Sequence, residues 1–302
     1  MTVLTENAVT IDRYPTRSAS LPALLPREEP TVWGTADGGP IDATALEGFD
    51  NTGFLPVEQL IDSAGIKAYT AEMDRLASDP RFIADSRTVV ERDSQEVRAI
   101  FEVHRISELF SDLANDPRLV NRARQILGSD VYIHQSRLNH KPAFKGEEFY
   151  WHSNFETWHA EDGMPRMRAV SVSIALTANE VFNGSLMVMP GSHRTFVSCT
   201  GDTPIDLDKE SLVSQVIGTP DPDSLRTLAD RHGIHLFTGP AGSATMFDAN
   251  CMHGSNGNIT PYPQSNVFIV YNSVENTLVE PYAAATPRPD FIAARDFTPV
   301  TC

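Results

Sequence analysis

Three shortages narrow what this 302-residue chain can be: few cysteines, few basic residues and no long apolar run. Its only cysteines are Cys199, Cys251 and Cys302, none of them in a CxxC pair. That is too few for a disulfide framework, and it makes a reducing cytoplasm the expected location. No apolar stretch approaches the roughly 18 residues needed to cross a bilayer, so no membrane partner is expected. The N-terminal MTVLTENAVTIDRYPTRS lacks a basic segment followed by an apolar core and does not resemble a secretory signal. Lys and Arg number 24 against 40 Asp and Glu, a formal net charge of −16. Phosphate binding needs clustered cations, so a nucleic-acid partner is not expected either. The sequence shows no internal repeat and no low-complexity tract.

What is present reads as helices first and short strands afterwards. Residues 1–45 carry scattered prolines and little periodicity, which suggests an irregular arm laid over a single domain at 46–302. From Asp62 the spacing of Ile66, Tyr69, Met73 and Leu76 predicts a helix closed by Pro80. Asp116-Pro117 opens a second, with Leu119, Val120, Ala123, Ile126 and Leu127 inward and Gly128 at its end. Then the period becomes two. Val131 to Ser136 reads as a strand, and so does the run in which Val170, Val172, Ile174 and Leu176 alternate with small residues. Further strands are predicted at Ser185 to Met189, His235 to Phe237, Ser243 to Phe247 and Asn266 to Asn272. The polar stretch Thr200 to Gly233 reads as a long insertion. Together these point to a mainly β fold with flanking helices, a jelly roll.

The richest chemistry lies in FYWHSNFETWHAEDGMPRMR, from Phe149 to Arg168, just ahead of the clearest strand. His152-Ser153-Asn154 has the spacing of the first two ligands of a two-histidine, one-carboxylate iron site, and His253 lies about a hundred residues on. The carboxylate position is an Asn. His193, in the Pro190-Gly191-Ser192-His193 turn, reads as structural.

That run, the turn NGSLMVMPGSH, the run MHGSNGNITPYPQSNVF and the tail NSVENTLVEPYAAATPRPDFIAARDFTPV resemble the ectoine hydroxylases. These are a family of phytanoyl-CoA hydroxylase-like Fe(II)/2-oxoglutarate dioxygenases. The resemblance spans about Tyr14 to Val300. It implies a double-stranded β-helix, Fe(II), 2-oxoglutarate and O2, and conversion of ectoine to 5-hydroxyectoine with release of succinate and CO2. It also implies a homodimer. Position by position, it places His152, Asn154 and His253 at the metal. Gln135, Trp158, Ser173, Phe247, Phe268 and Arg288 fall at the substrate, and Asn139, Lys141, Ser255 and Gln264 at the cosubstrate. An indole face suits the delocalised cation of ectoine.

Two positions depart from the family's pattern, which has Asp where Asn154 stands and Arg where Gln264 stands. A neutral amide is a weaker donor to Fe(II) than a carboxylate, and Gln cannot form the charged two-pronged clamp of Arg. The departures imply impaired turnover. A non-catalytic ectoine-binding β-helix, or a related dioxygenase with another small substrate, is the alternative reading.

Overall fold

Alternation along neighbouring strands gives the main sheet one packed face and one hollow face. The structure is a computed structural model that describes residues 12–18, 22–57, 59–91, 96–201, 203 and 217–302. Its strands in chain order are β1 (Ala23–Pro26), β2 (Phe54–Val57), β3 (Thr88–Val90), β4 (Val97–Phe101), β5 (Val131–Lys141), β6 (Phe149–His152) and β7 (Ala169–Ala175). They continue as β8 (Leu186–Val188), β9 (Thr195–Ser198), β10 (His235–Leu236), β11 (Ala244–Asp248), β12 (His253–Ser255) and β13 (Gln264–Ser273). The α-helices are α1 (Ala43–Thr52), α2 (Ser63–Ser78), α3 (Pro80–Ile83), α4 (Val103–Ile106), α5 (Glu108–Ala114), α6 (Pro117–Leu127), α7 (Asn154–Thr157) and α8 (Pro222–His232).

Seven strands in the order β2-β11-β7-β13-β5-β4-β3 form the main sheet, and β10-β8-β12-β6 form a smaller one. Residues of both sheets line one cavity between them. This is the double-stranded β-helix expected from the sequence. Among the described residues, no helix is long and apolar enough to cross a membrane.

The outer face of the main sheet carries Val170, Val172, Ile174, Met246, Val267, Ile269 and Tyr271, all in the largest core cluster. Opposite them pack Phe49 of α1, Leu76 of α2, Phe110 of α5, and Leu119, Ala123 and Ile126 of α6. Each such side chain contributes about 1.5–3 kcal/mol on leaving water. The helices begin where their caps put them. Asp62 accepts from the Gly65 N–H at 2.8 Å, and Asp116 from the Arg118 N–H at 2.8 Å. Gly128 ends α6 at φ 62°, and a Cβ there would lie 2.9 Å from the Trp33 carbonyl oxygen.

Two expectations change. The arm expected to be irregular contributes β1, paired antiparallel with β9, and α1 begins within it at Ala43. The stretch from Thr200 to Gly233, expected to be a polar insertion, contains α8 (residues 202 and 204–216 lie outside the described residues). Asp221 caps α8, and Leu225 and Leu228 dock on Met189, Val197 and Met252. That apolar pair three residues apart was the legible signal, outweighed by the surrounding Asp residues.

Ile174→Ala, which empties a position on the fully buried face of β7, should cost about 2–5 kcal/mol in urea unfolding with little change in slope.

Candidate active site

Strand register, not proximity in sequence, builds the site. His152 ends β6 and His253 opens β12, and the two are direct partners across the antiparallel ladder. Cross-strand partners share a face, so the two imidazoles lie 4.2 Å apart between centroids. The Nδ1 of His152 donates to the Tyr150 carbonyl at 2.7 Å, and that of His253 to the Cys251 carbonyl at 2.8 Å. Those bonds fix the proton on Nδ1 and leave each Nε2 lone pair available. Burial holds His152 down at about 4 and His253 well below the ordinary imidazole value, so both rings are neutral at pH 7.

Asn154 is aimed by the cap of its short helix. The Ser153 hydroxyl accepts from the Glu156 N–H at 3.1 Å and donates to Asn250 Oδ1 at 3.0 Å. The Asn154 amide nitrogen donates to Ser171 Oγ at 3.3 Å, which leaves its oxygen as a donor of lone pairs. Among the described residues, no three His, Cys, Asp or Glu converge as a metal-holding group. Two neutral ring nitrogens and one amide oxygen nevertheless fit a divalent cation such as Fe(II), with no anionic protein ligand to offset its charge.

The hollow face of the main sheet supplies the rest. Alternate residues of β5 (Gln135, Arg137, Asn139 and Lys141) pair directly with Val270, Phe268, Asn266 and Gln264 of β13. All eight therefore share one face. The cavity they floor has two lobes that share Arg137, Asn139, Phe149 and His152. One lobe adds Gln135, Asn154, Thr157, Trp158, Glu161 and Arg288. The other adds Lys141, His253, Ser255, Gln264, Asn266 and Phe268.

Among the described residues, the second lobe contains two cations and no carboxylate. The Lys141 ammonium donates to Ser255 Oγ at 2.8 Å and to the Asn256 carbonyl, both neutral acceptors. Burial lowers its pKa to about 7. Arg137 is half-buried over the Phe268 ring at 5.1 Å, and its buried Nε has no hydrogen-bond partner. Desolvation, then Arg288 and Arg98, lower its pKa to about 10. The side-chain oxygens of Asn139 and Asn266 are buried without a partner as well. Gln264 donates to Asn179 Oδ1 at 3.0 Å. Such a pocket favours a small dianion.

The first lobe is braced by ion pairs. Arg17, from the N-terminal arm, meets Glu156 at 3.0 Å and Glu161 at 2.5 Å. Arg288 holds Asp162 through two bonds of 2.8 and 2.5 Å and approaches Glu161 at 3.3 Å. Trp158 begins a π-helical turn, Trp158–Asp162, that continues α7 and closes at Gly163. A Cβ on Gly163 would lie 2.1 Å from the Val279 carbonyl oxygen. The Trp158 ring meets His134 edge to face at 5.0 Å.

Most residues singled out in the sequence thus converge on the cavity. Ser173 faces the same side as Phe268, its partner across the ladder, and Phe247 lies 5.3 Å from the His253 ring; neither lines a lobe. Gln135 donates to the Ile292 carbonyl at 2.7 Å, and Arg288 is committed to acids. Sequence reasoning missed Arg137, Phe149, Glu161 and Asn266. Arg137 was findable, since it lies in step with Gln135, Asn139 and Lys141 in a period of two. His193 Nε2 donates to the Asp50 carbonyl at 3.0 Å, outside the cavity.

Residues 49–265 match the phytanoyl-CoA dioxygenase (PhyH) family. The ectoine dioxygenase of Streptomyces avermitilis is 60% identical over 290 residues, covering 96% of this chain and 98% of that protein. The chain belongs to the ectoine dioxygenase family. A crystal structure of EctD from S. alaskensis with 2-oxoglutarate and 5-hydroxyectoine aligns with a TM-score of 0.87 at 45% identity, covering 96% of this chain and 97% of that one. The same enzyme with bound Fe aligns at 0.86 and 44% identity over equal shares. Family membership accounts for the hollow face: a sheet whose inner residues are Ser, Asn, Gln, Arg and Lys is built around ligands.

Two measurements probe the second lobe. Arg137→Met should weaken 2-oxoglutarate binding about 30-fold or more by calorimetry if a carboxylate of the ligand pairs with this otherwise unpartnered cation. In the intact chain, affinity should fall roughly tenfold between about pH 6.5 and 8 as Lys141, whose folded pKa is lowered, loses its proton.

Proposed function

We propose that the chain is an Fe(II)- and 2-oxoglutarate-dependent hydroxylase that converts ectoine and O2 to 5-hydroxyectoine, with succinate and CO2 as coproducts. The observation that carries the reading is the single cavity in which the paired His152 and His253 stand between an acid-free cationic lobe and a lobe walled by Trp158. His152, His253 and the Asn154 oxygen would hold the iron, which when bound supplies the reduction of dioxygen coupled to decarboxylation of the 2-oxo acid. Lys141, Arg137, Asn139, Ser255 and Gln264 would orient the cosubstrate's carboxylates. Trp158 would cover the cationic ring of ectoine, with Gln135 and Arg137 beside it. Buried Phe247 and Phe268 keep water from the imidazoles.

Asn154 and Gln264 make this a slow member of its family. The amide offers iron no charge, and Gln264, already donating to Asn179, offers a carboxylate no cation. Asn154→Asp combined with Gln264→Arg should raise 5-hydroxyectoine formation by about tenfold or more under saturating Fe(II), ectoine and O2. Product measured by chromatography decides this, and a double variant that makes none from ectoine overturns the substrate assignment.

The working unit is a homodimer in the cytoplasm. Support for the dimer comes from exposed Phe144, Val181, Phe182, Ile259 and Tyr262 on neighbouring loops, where Phe182 and Tyr262 lie 5.9 Å apart. Support for the location comes from Cys199 and Cys251, both buried and unpaired.

A further inference from the structure

We infer that Glu161 selects for a cationic ring, by pairing with the amidinium edge of the substrate that lies against Trp158. The inference rests on the function proposed above. Among the described residues lining the two lobes, Glu161 is the only acid, and it lines the same lobe as Trp158. It is 3% exposed, so its charge is hardly screened by water.

Its neighbours already have partners. Arg17 is satisfied by Glu156, which takes its Nε at 3.0 Å and its Nη2 at 3.0 Å. Arg288 is satisfied by the two oxygens of Asp162. Glu161 is therefore the third carboxylate facing two guanidinium groups, at 2.5 Å from Arg17 and 3.3 Å from Arg288. Arg295 approaches only the Asp162 carbonyl, at 3.1 Å. Glu161 is held by both guanidinium groups, yet a carboxylate can accept about four hydrogen bonds, so it keeps capacity for a further cationic donor on its lobe side. The lobe is the open side from which that cation would come. Thr157, whose buried Oγ has no partner, lines the same wall. Arg137, with an unpartnered Nε, stands elsewhere in the lobe as the counterpart for a carboxylate. A small ring with an amidinium and a carboxylate matches that polarity, and a neutral ring does not.

The test compares two ligands by calorimetry on the full chain: ectoine, and 6-oxopiperidine-2-carboxylate, a six-membered ring of similar shape with a neutral lactam edge. Glu161→Gln should weaken ectoine binding about 30-fold while changing lactam binding less than about threefold, and Glu161→Asp should recover part of the ectoine affinity. Arg17→Met, which breaks the same network from outside the lobe, should show no ectoine-selective loss. If Glu161→Gln weakens both ligands in parallel, or leaves ectoine unchanged, the inference is overturned and the proposed function stands. The same holds if Glu161→Asp recovers nothing or Arg17→Met reproduces the selective loss. If the unaltered chain binds no ectoine, the proposed substrate falls together with the inference.

Discussion

Everything at the site depends on the register between β13 and its two neighbours. Because side chains alternate, one strand gives Val267, Ile269 and Tyr271 to the helices and Gln264, Asn266 and Phe268 to the cavity. A slip of one residue would send amides into the core and aliphatics into the cavity. The apolar face therefore does more than stabilise the fold: its burial against α1, α2, α5 and α6 fixes where each polar side chain on the other face must stand. A single break in the pairing, at Val270/Tyr271 opposite His134, lets β5 bend beside Trp158.

The fold was legible because periodicity and caps report on local chemistry. The helix starts at Asp62 and Asp116 follow from side-chain oxygens that satisfy free N–H groups, and the alternation of β7 is visible without context. The positions proposed for the metal were picked out as a motif, though not from spacing alone, since no local rule says that residues about a hundred apart will be ladder partners. Arg137 was missed for the opposite reason. In sequence it sits among Ser136, Leu138 and Asn139 and looks like any surface cation unless it is read in step with Gln135, Asn139 and Lys141, and the register against Phe268 turns it inward. Arg288 shows the converse case. It does line the cavity, yet Asp162 and Glu161 hold its guanidinium, a pairing that depends on how the C-terminal segment folds back over the π-helical turn.

Charge divides the cavity in a way that the chain's overall acidity hides. With a net charge of −16, the molecule places, among the described residues, two cations and no acid in the lobe that faces His253, and Glu161 with two arginines in the lobe beside Trp158. Long-range repulsion of anions by the acidic surface is screened beyond about 8–10 Å in salt, whereas the buried groups act at contact distance with little water between. Recognition of small anions by so acidic a protein is thus a property of a few enclosed residues.

The grip of Arg17 on Glu156 and Glu161 has a consequence for how the protein is made. Arg17 lies about 140 residues before Glu156 and Glu161, and Arg288, which lines the same lobe, about 130 residues after them. No partial chain can close the lobe. The lobe is therefore complete only once the segment that carries Arg288 has packed against it. A ligand present at that moment would bind only finished molecules, and so would draw newly made chains toward the closed form by mass action.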